Sequence, residues 1–199
     1  MGQRTNIILQ VKYRDEKWNE TIEETRIFHC QWGIGRILPK NVMSILHNMQ
    51  SSDLYRKGAA ARLCPGGLWD ATDEWEMKQD ELNALSFDDP SKVGEVMHAA
   101  NNNGGIFLRL TETCNSKKLE RTTTVEYAFM LGYEEGGNYK KFVSKDKFLE
   151  KQSRYIDEDF RKMLDMTLDY YEAQDMAAIE DKSPADKLRT IMRKQIDEK

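Results

Sequence analysis

The sequence predicts an α+β protein: a mainly antiparallel sheet of about four to five strands with helices packed on one face and a helical carboxy-terminal segment. Segments in which apolar and polar residues alternate, the pattern of half-buried strands, recur before residue 150. Apolar residues at helical spacing separate these segments and then dominate the end of the chain. We therefore expect residues 1–150 to form an α+β core domain and residues 151–199 to form helices packed on that core or on a partner copy.

The first two strands are predicted to form a hairpin. Residues 4–13 and 24–34 both alternate, and a polar link joins them. Opposite residues of an antiparallel pair lie on the same face. The apolar residues of the alternating pattern have odd numbers in the first strand and even numbers in the second. They share a face only when an odd-numbered residue pairs with an even-numbered one, so that the two numbers have an odd sum. We predict the register that places Leu9 opposite Phe28. A slip of two residues would keep the faces and change the partners.

The remaining elements follow from the same two periodicities. Helical spacing and capping residues predict helices at about 41–50, 72–85, 91–101, from 144 onward and from 183 onward. Strand-forming residues predict strands at 106–111 and 123–133 and a short edge strand at 139–143. Residues 58–72 show no clean period and are predicted to be a loop.

Composition limits the class of protein and its partners. The net charge of −4 argues against a nucleic-acid partner held by a basic surface. No segment approaches the roughly 20 apolar residues of a membrane span, and the first residues lack the apolar run of a signal peptide. We expect a cytoplasmic protein without a membrane partner. Three isolated cysteines without a Cys-x-x-Cys pair are expected to be reduced.

Two motifs carry a resemblance to a known group of proteins. The opening Met1-Gly2-Gln3-Arg4, followed by His29-x-Gln31-Trp32-Gly33, resembles small uncharacterised proteins of phages and prophages. The segment 127–133, running into 139–142, is similar to the same group. The resemblance implies no established activity. It implies a context, that of a phage or mobile-element protein in the host cytoplasm, where counter-defence and host-takeover binding are common roles.

The polar face of the first hairpin is the strongest candidate site. It is predicted to present Arg4, Asn6, His29 and Gln31, with Arg36 just beyond a Gly-x-Gly turn. Two guanidinium groups near glycine backbone amides and a helix amino terminus would suit an anion. The two side-chain amides could bind a base, a peptide or an acyl group. In the competing interpretation these are solvent-facing hairpin residues and the glycines only turn the chain.

Other kinds of site have weaker support. The residues that could bind a metal lack ligand spacing, and the glycine pattern is no dinucleotide fingerprint, because Leu38 replaces its third glycine. We predict neither a metal nor a cofactor. Cys30 is expected in the core, whereas Cys64 lies in a predicted loop and is the better candidate nucleophile. Trp69 and Trp75 could anchor a partner, but we favour the interpretation that both close over the core.

Three functional hypotheses remain. The leading one is a non-enzymatic, phage-type binding protein that engages a host protein or an anionic small molecule through the hairpin face. The first alternative is a small hydrolase or transferase acting on an acyl or phosphate substrate, with His29 as general base and Arg4 and Arg36 holding negative charge. The second alternative is a structural or assembly protein that forms a homodimer through its carboxy-terminal helices.

Overall fold

The computed structural model describes most of the chain up to residue 167. The described residues are 4–31, 33, 37–50, 54, 58–66, 68–73, 75–99, 103–115, 120–151, 158, 159, 161, 162, 164, 165 and 167. The predicted helix from residue 183 onward lies outside them, as does much of the predicted domain of residues 151–199. Leu164 is buried in the same apolar cluster as the sheet, so the chain beyond residue 150 contributes to this core.

A five-stranded mixed sheet forms the centre of the molecule, in the order β3-β2-β1-β4-β5. Its strands are β1 Thr5–Asp15, β2 Glu20–Cys30, β3 Trp69–Asp70, β4 Gly105–Asn115 and β5 Glu120–Met130. The pair β1–β4 is parallel, and the other three neighbouring pairs are antiparallel. Two long hairpins, β1–β2 and β4–β5, therefore meet at the middle of the sheet. The predicted α+β class is confirmed.

In the described part of the chain, five named α-helices of short to medium length accompany the sheet. They are α1 Ile37–Gln50, α2 Ala59–Leu63, α3 Gln79–Asn83, α4 Pro90–Met97 and α5 Lys145–Lys151. Proline at the first position of α4 and the Asp89 carboxylate, which accepts from Lys92 N at 3.1 Å, define the start of that helix. None of the described helices is both long and apolar enough to cross a membrane.

Helices cover both faces of the sheet. The odd-numbered β1 residues Ile7, Leu9 and Val11 pack with α1, α2 and α5 in one apolar cluster. The even-numbered Ile8 packs with α3, α4 and the loops around them in a second cluster. The prediction of helices on one face was therefore incomplete. The helices of this second layer, α3 and α4, overlap the predicted helices at 72–85 and 91–101, but the sequence did not show that they lie on the opposite face of the sheet from α1.

The first hairpin has the predicted faces but not the predicted register. Ile7 pairs with Phe28, and Leu9 pairs with Arg26. Relative to the prediction the strands are shifted by two residues, which keeps the apolar side chains together, because side chains alternate with a period of two. One consequence is central to the site, since Asn6 now lies directly opposite His29.

Strand β3 was not predicted. It is formed by Trp69 and Asp70, within the segment that was predicted to be loop, and it pairs with the outer edge of β2. The predicted edge strand at 139–143 forms only an isolated bridge between Val143 and Phe129. Tyr139 has a positive φ of 53°, a left-handed conformation that interrupts an extended run.

Candidate binding site

The four described residues of the predicted site lie close together at one end of the sheet. Asn6 and His29 face each other on β1 and β2, while Arg4 and Gln31 lie just beyond the ends of those two strands. Arg36, the fifth predicted residue, lies outside the described residues. Parity thus grouped the side chains correctly, but it did not predict which of them remain accessible.

Asn6 is fully buried and belongs to the internal structure. Its Nδ2 donates to the carbonyl oxygens of Met97 and Ala99, both at 2.9 Å, at the carboxy end of α4. Carbonyls at the end of a helix are common acceptors for side-chain donors, and the Asn6 amide fills that role here. The end of α4 therefore covers this amide, which lies away from the accessible surface.

His29 is 5% exposed and is held by Asn6. Its Nδ1 lies 2.8 Å from Asn6 Oδ1. Because the Asn6 Nδ2 group serves two carbonyls, the facing atom is the amide oxygen, and His29 Nδ1 must carry the proton that is shared with it. Burial and the nearby Arg4 charge lower the pKa of His29, and a hydrogen bond with Gln31 opposes that shift. The neutral imidazole is therefore favoured.

Two tryptophans complete the surroundings of His29. The imidazole meets Trp69 and Trp75 edge to face, with ring centroids 5.7 and 5.8 Å away, and the two indoles are 6.2 Å apart. The three rings are in direct contact, which leaves no space for a ligand between them. Trp75 packs against the second apolar cluster, as favoured from the sequence. Trp69 does not close over the core, because 42% of it is exposed.

The accessible part of this region is a surface formed by Arg4, Gln31 and Trp69, here called the end surface. Gln31 is exposed and Arg4 is partly exposed. Trp69 lies on β3, the outermost strand on this side, and its neighbour Asp70 is 3.5 Å from the Arg26 guanidinium. The link between Trp69 and the hairpin could not be predicted from the sequence, because only the pairing of β3 with β2 creates it.

Gly33, which follows the end of β2, packs closely against β1. A Cβ at Gly33 would lie 1.7 Å from Thr5 Oγ1, so this glycine permits a close approach of the chain to β1. That contact accounts for Gly33 without any ligand. The other glycine of the predicted Gly-x-Gly turn lies outside the described residues.

The cysteines show no sign of activation. Cys30 is buried, and burial together with Asp70 raises the pKa of Cys64 to about 11, so that its thiolate is scarce at neutral pH. Cys30, Cys64 and Cys114 form no disulfide. Among the described residues no three histidine, cysteine or acidic side chains come together in a group that could hold a metal ion.

The fold and the site together define an α+β protein with a mixed five-stranded sheet and an aromatic and polar surface at one sheet end. Comparison of the chain with protein-family models, with curated proteins and with solved structures finds no match.

Proposed function

We propose that this protein is a non-enzymatic binding protein that engages a host protein through the end surface, in a phage or mobile-element context. The observation that carries the proposal is that Trp69 is both partly exposed and held in place. Nearly half of this large side chain is open to solvent, while His29 and Trp75 hold its ring in place. A rigid, partly exposed tryptophan loses little entropy on binding and is typical of interface hot spots.

The polar residues around Trp69 indicate the chemistry of the partner. Arg4 offers a guanidinium and Gln31 offers an amide, both within the interaction range of His29. A partner that presents an apolar side chain next to a carboxylate or a backbone carbonyl would complement this arrangement. A counter-defence role, in which binding blocks a host protein, is the form of this proposal that the phage resemblance suggests.

Binding is better supported than catalysis at this site. A general base needs a nitrogen that can reach the substrate. His29 engages Asn6 through Nδ1 and is almost completely enclosed, which favours a role in supporting Trp69. A dimer through the carboxy-terminal helices involves residues outside those the structure describes, and an anionic small molecule remains an alternative ligand for Arg4.

The test compares two exposed tryptophans at opposite ends of the sheet. Trp69→Ala removes the proposed anchor, and Trp18→Ala, at the turn between β1 and β2, is the matched control because Trp18 is 64% exposed. The tagged proteins are used to capture partners from a bacterial lysate. We expect a partner that is retained by the parent protein and by Trp18→Ala and is lost with Trp69→Ala. Equal capture by both variants would contradict the proposal, provided that circular dichroism shows both to be folded.

A further inference from the structure

A second candidate site lies at the opposite edge of the sheet, beyond β5. A cleft of about 280 Å³ opens between the turn that follows β5 and the helix α5. Three lysines from two elements line it, Lys141 from the loop and Lys147 and Lys151 from α5. We call it the lysine cleft. Four strand spacings of about 4.8 Å separate the β3 and β5 edges, so the cleft is distinct from the end surface.

Within the described part of the chain, the three lysines lack the acidic partners that several other lysines of this protein have. Lys12 lies 2.7 Å from Glu23, Lys145 lies 2.7 Å from Asp165, and Lys162 lies 3.0 Å from Glu158. Among the described residues no carboxylate lies within ion-pair distance of the three cleft ammonium groups.

The spacing of two of these lysines is itself unfavourable. Lys147 and Lys151 are four residues apart on α5, where like charges repel and weaken the helix. Asp146 and Glu150 lie on the same helix but do not line the cleft, so the lysines dominate its lining. A bound anion would remove this repulsion.

One acidic residue also borders the lysine cleft, but it is committed to the turn. Glu135 is 9% exposed, and its Oε2 accepts from Gly132 N at 3.2 Å. With three lysines and one carboxylate the lining keeps a formal charge of +2. Asn138 adds an amide donor to the lining.

Hydrogen bonds hold the walls of the lysine cleft in place. Gly137 N donates to Gly132 O at 2.8 Å, and Val143 N donates to Phe129 O at 2.9 Å on the outer edge of β5. Between them the Tyr139 hydroxyl accepts from Gly104 N at 3.2 Å. The loop side of the cleft is therefore fixed by its own hydrogen bonds, which reduces the backbone entropy lost on binding.

We infer that the lysine cleft binds a compact anion that carries a diphosphate group. Three ammonium groups around one concave space match the charge of two linked phosphates, for which lysine is a common partner. The cleft volume lies just below the usual range for ligand pockets, about 300–1,000 Å³. That size suits a diphosphate rather than a complete larger ligand. The inference is independent of the partner proposed for the end surface.

The test is isothermal titration calorimetry of the full chain with sodium pyrophosphate. The cleft variant carries Lys141→Gln, Lys147→Gln and Lys151→Gln. The matched control carries Lys40→Gln, Lys78→Gln and Lys92→Gln, which change the net charge equally at exposed positions outside the cleft. We expect one-site binding that weakens at least tenfold in the cleft variant and less than twofold in the control. The thermal midpoint of the cleft variant should be unchanged or higher, because like-charge repulsion is removed.

Several results would overturn the inference. They are the absence of pyrophosphate binding at millimolar concentration, an equal loss of affinity in both variants, and equally tight binding of citrate, whose charge comes from carboxylates. Titration with ADP separates the sources of the diphosphate group. Tighter binding of ADP supports a nucleotide diphosphate, tighter binding of pyrophosphate supports a free one, and failure of both to bind contradicts the inference. None of these outcomes depends on Trp69, so this proposal and the proposed function can fail separately.

Discussion

A single buried amide links the first hairpin to α4. Asn6 satisfies two helix carbonyls and the imidazole of His29 at the same time. Asn6→Ala would leave these groups buried without that partner, and we expect the free energy of unfolding to fall by roughly 2–4 kcal/mol. Urea denaturation measures the loss. Gln31→Ala, which alters an exposed amide in the same region, should cost less than about 1 kcal/mol. Similar losses in the two variants would show that Asn6 does not have this role.

The protonation of His29 makes a second prediction at the residue scale. Its pKa is lowered from the ordinary value of 6.5, first by burial and then by the Arg4 charge. The unfolded chain therefore binds the proton more readily, so the contribution of His29 to stability is present above pH 6.5 and is lost as the pH falls through the folded value. An NMR titration of the imidazole should give a midpoint below 6.5, and Arg4→Gln should move it upward. A midpoint at or above 6.5 would refute the proposed environment.

At the scale of elements, α4 depends on a close approach to the loop after β5. A Cβ at Gly94 would lie 1.6 Å from the backbone oxygen of Tyr139. In an open helix Gly→Ala is stabilising, but here the extra methyl must push α4 away from the loop. We expect Gly94→Ala to lower the free energy of unfolding by roughly 1–3 kcal/mol, measured by urea denaturation. Gly66→Ala is the control, because no residue other than its two chain neighbours lies within 4 Å of the Cβ position there, and it should be nearly neutral. If Gly94→Ala stabilised the protein, the loop at Tyr139 would have to move away from α4 at little cost, which would contradict the prediction.

The elements also show what could be predicted from the sequence. The alternation along β1 and β2 correctly placed Asn6 and His29 on one face, because side-chain direction is a local property of a strand. The segments that cover that face could not be predicted. This face of the sheet is partly polar because its side chains bind the main chain of short, distant segments, rather than because it faces water.

Gln10 illustrates the point. Its side chain is fully buried, donates to Asn83 O at 3.0 Å and accepts from the Arg109 guanidinium. Arg109 in turn donates to Leu85 O at 3.2 Å. These partners are far away in the sequence, and no periodicity reports them. The exposure of Trp69 was missed for the same reason, because its strand has only two residues and exists only through pairing with β2.

At the scale of the whole molecule, the parallel pairing of β1 with β4 joins two hairpins into one sheet. The inner strands β1 and β4 have a neighbour on each side and an apolar cluster on each face. Every amide in their paired parts is directed toward another strand, so consecutive residues should be protected from hydrogen exchange. The outer strand β5 differs, because among the described residues only Val143 pairs with its free edge, at Phe129.

That difference gives a residue-by-residue prediction for β5. Phe129 O points to the outer edge, since it accepts from Val143 N, and the amide and carbonyl of a residue in an antiparallel strand point the same way. The odd-numbered amides of Thr123, Val125 and Tyr127 should therefore exchange quickly, whereas those of Thr124 and Glu126 should exchange slowly. Amide exchange followed by NMR measures both sets, and β4 provides the control with uninterrupted protection. Uniform protection along β5 would mean that its outer edge is covered in solution, by a second copy or by another part of the chain, and the sheet would then extend beyond five strands.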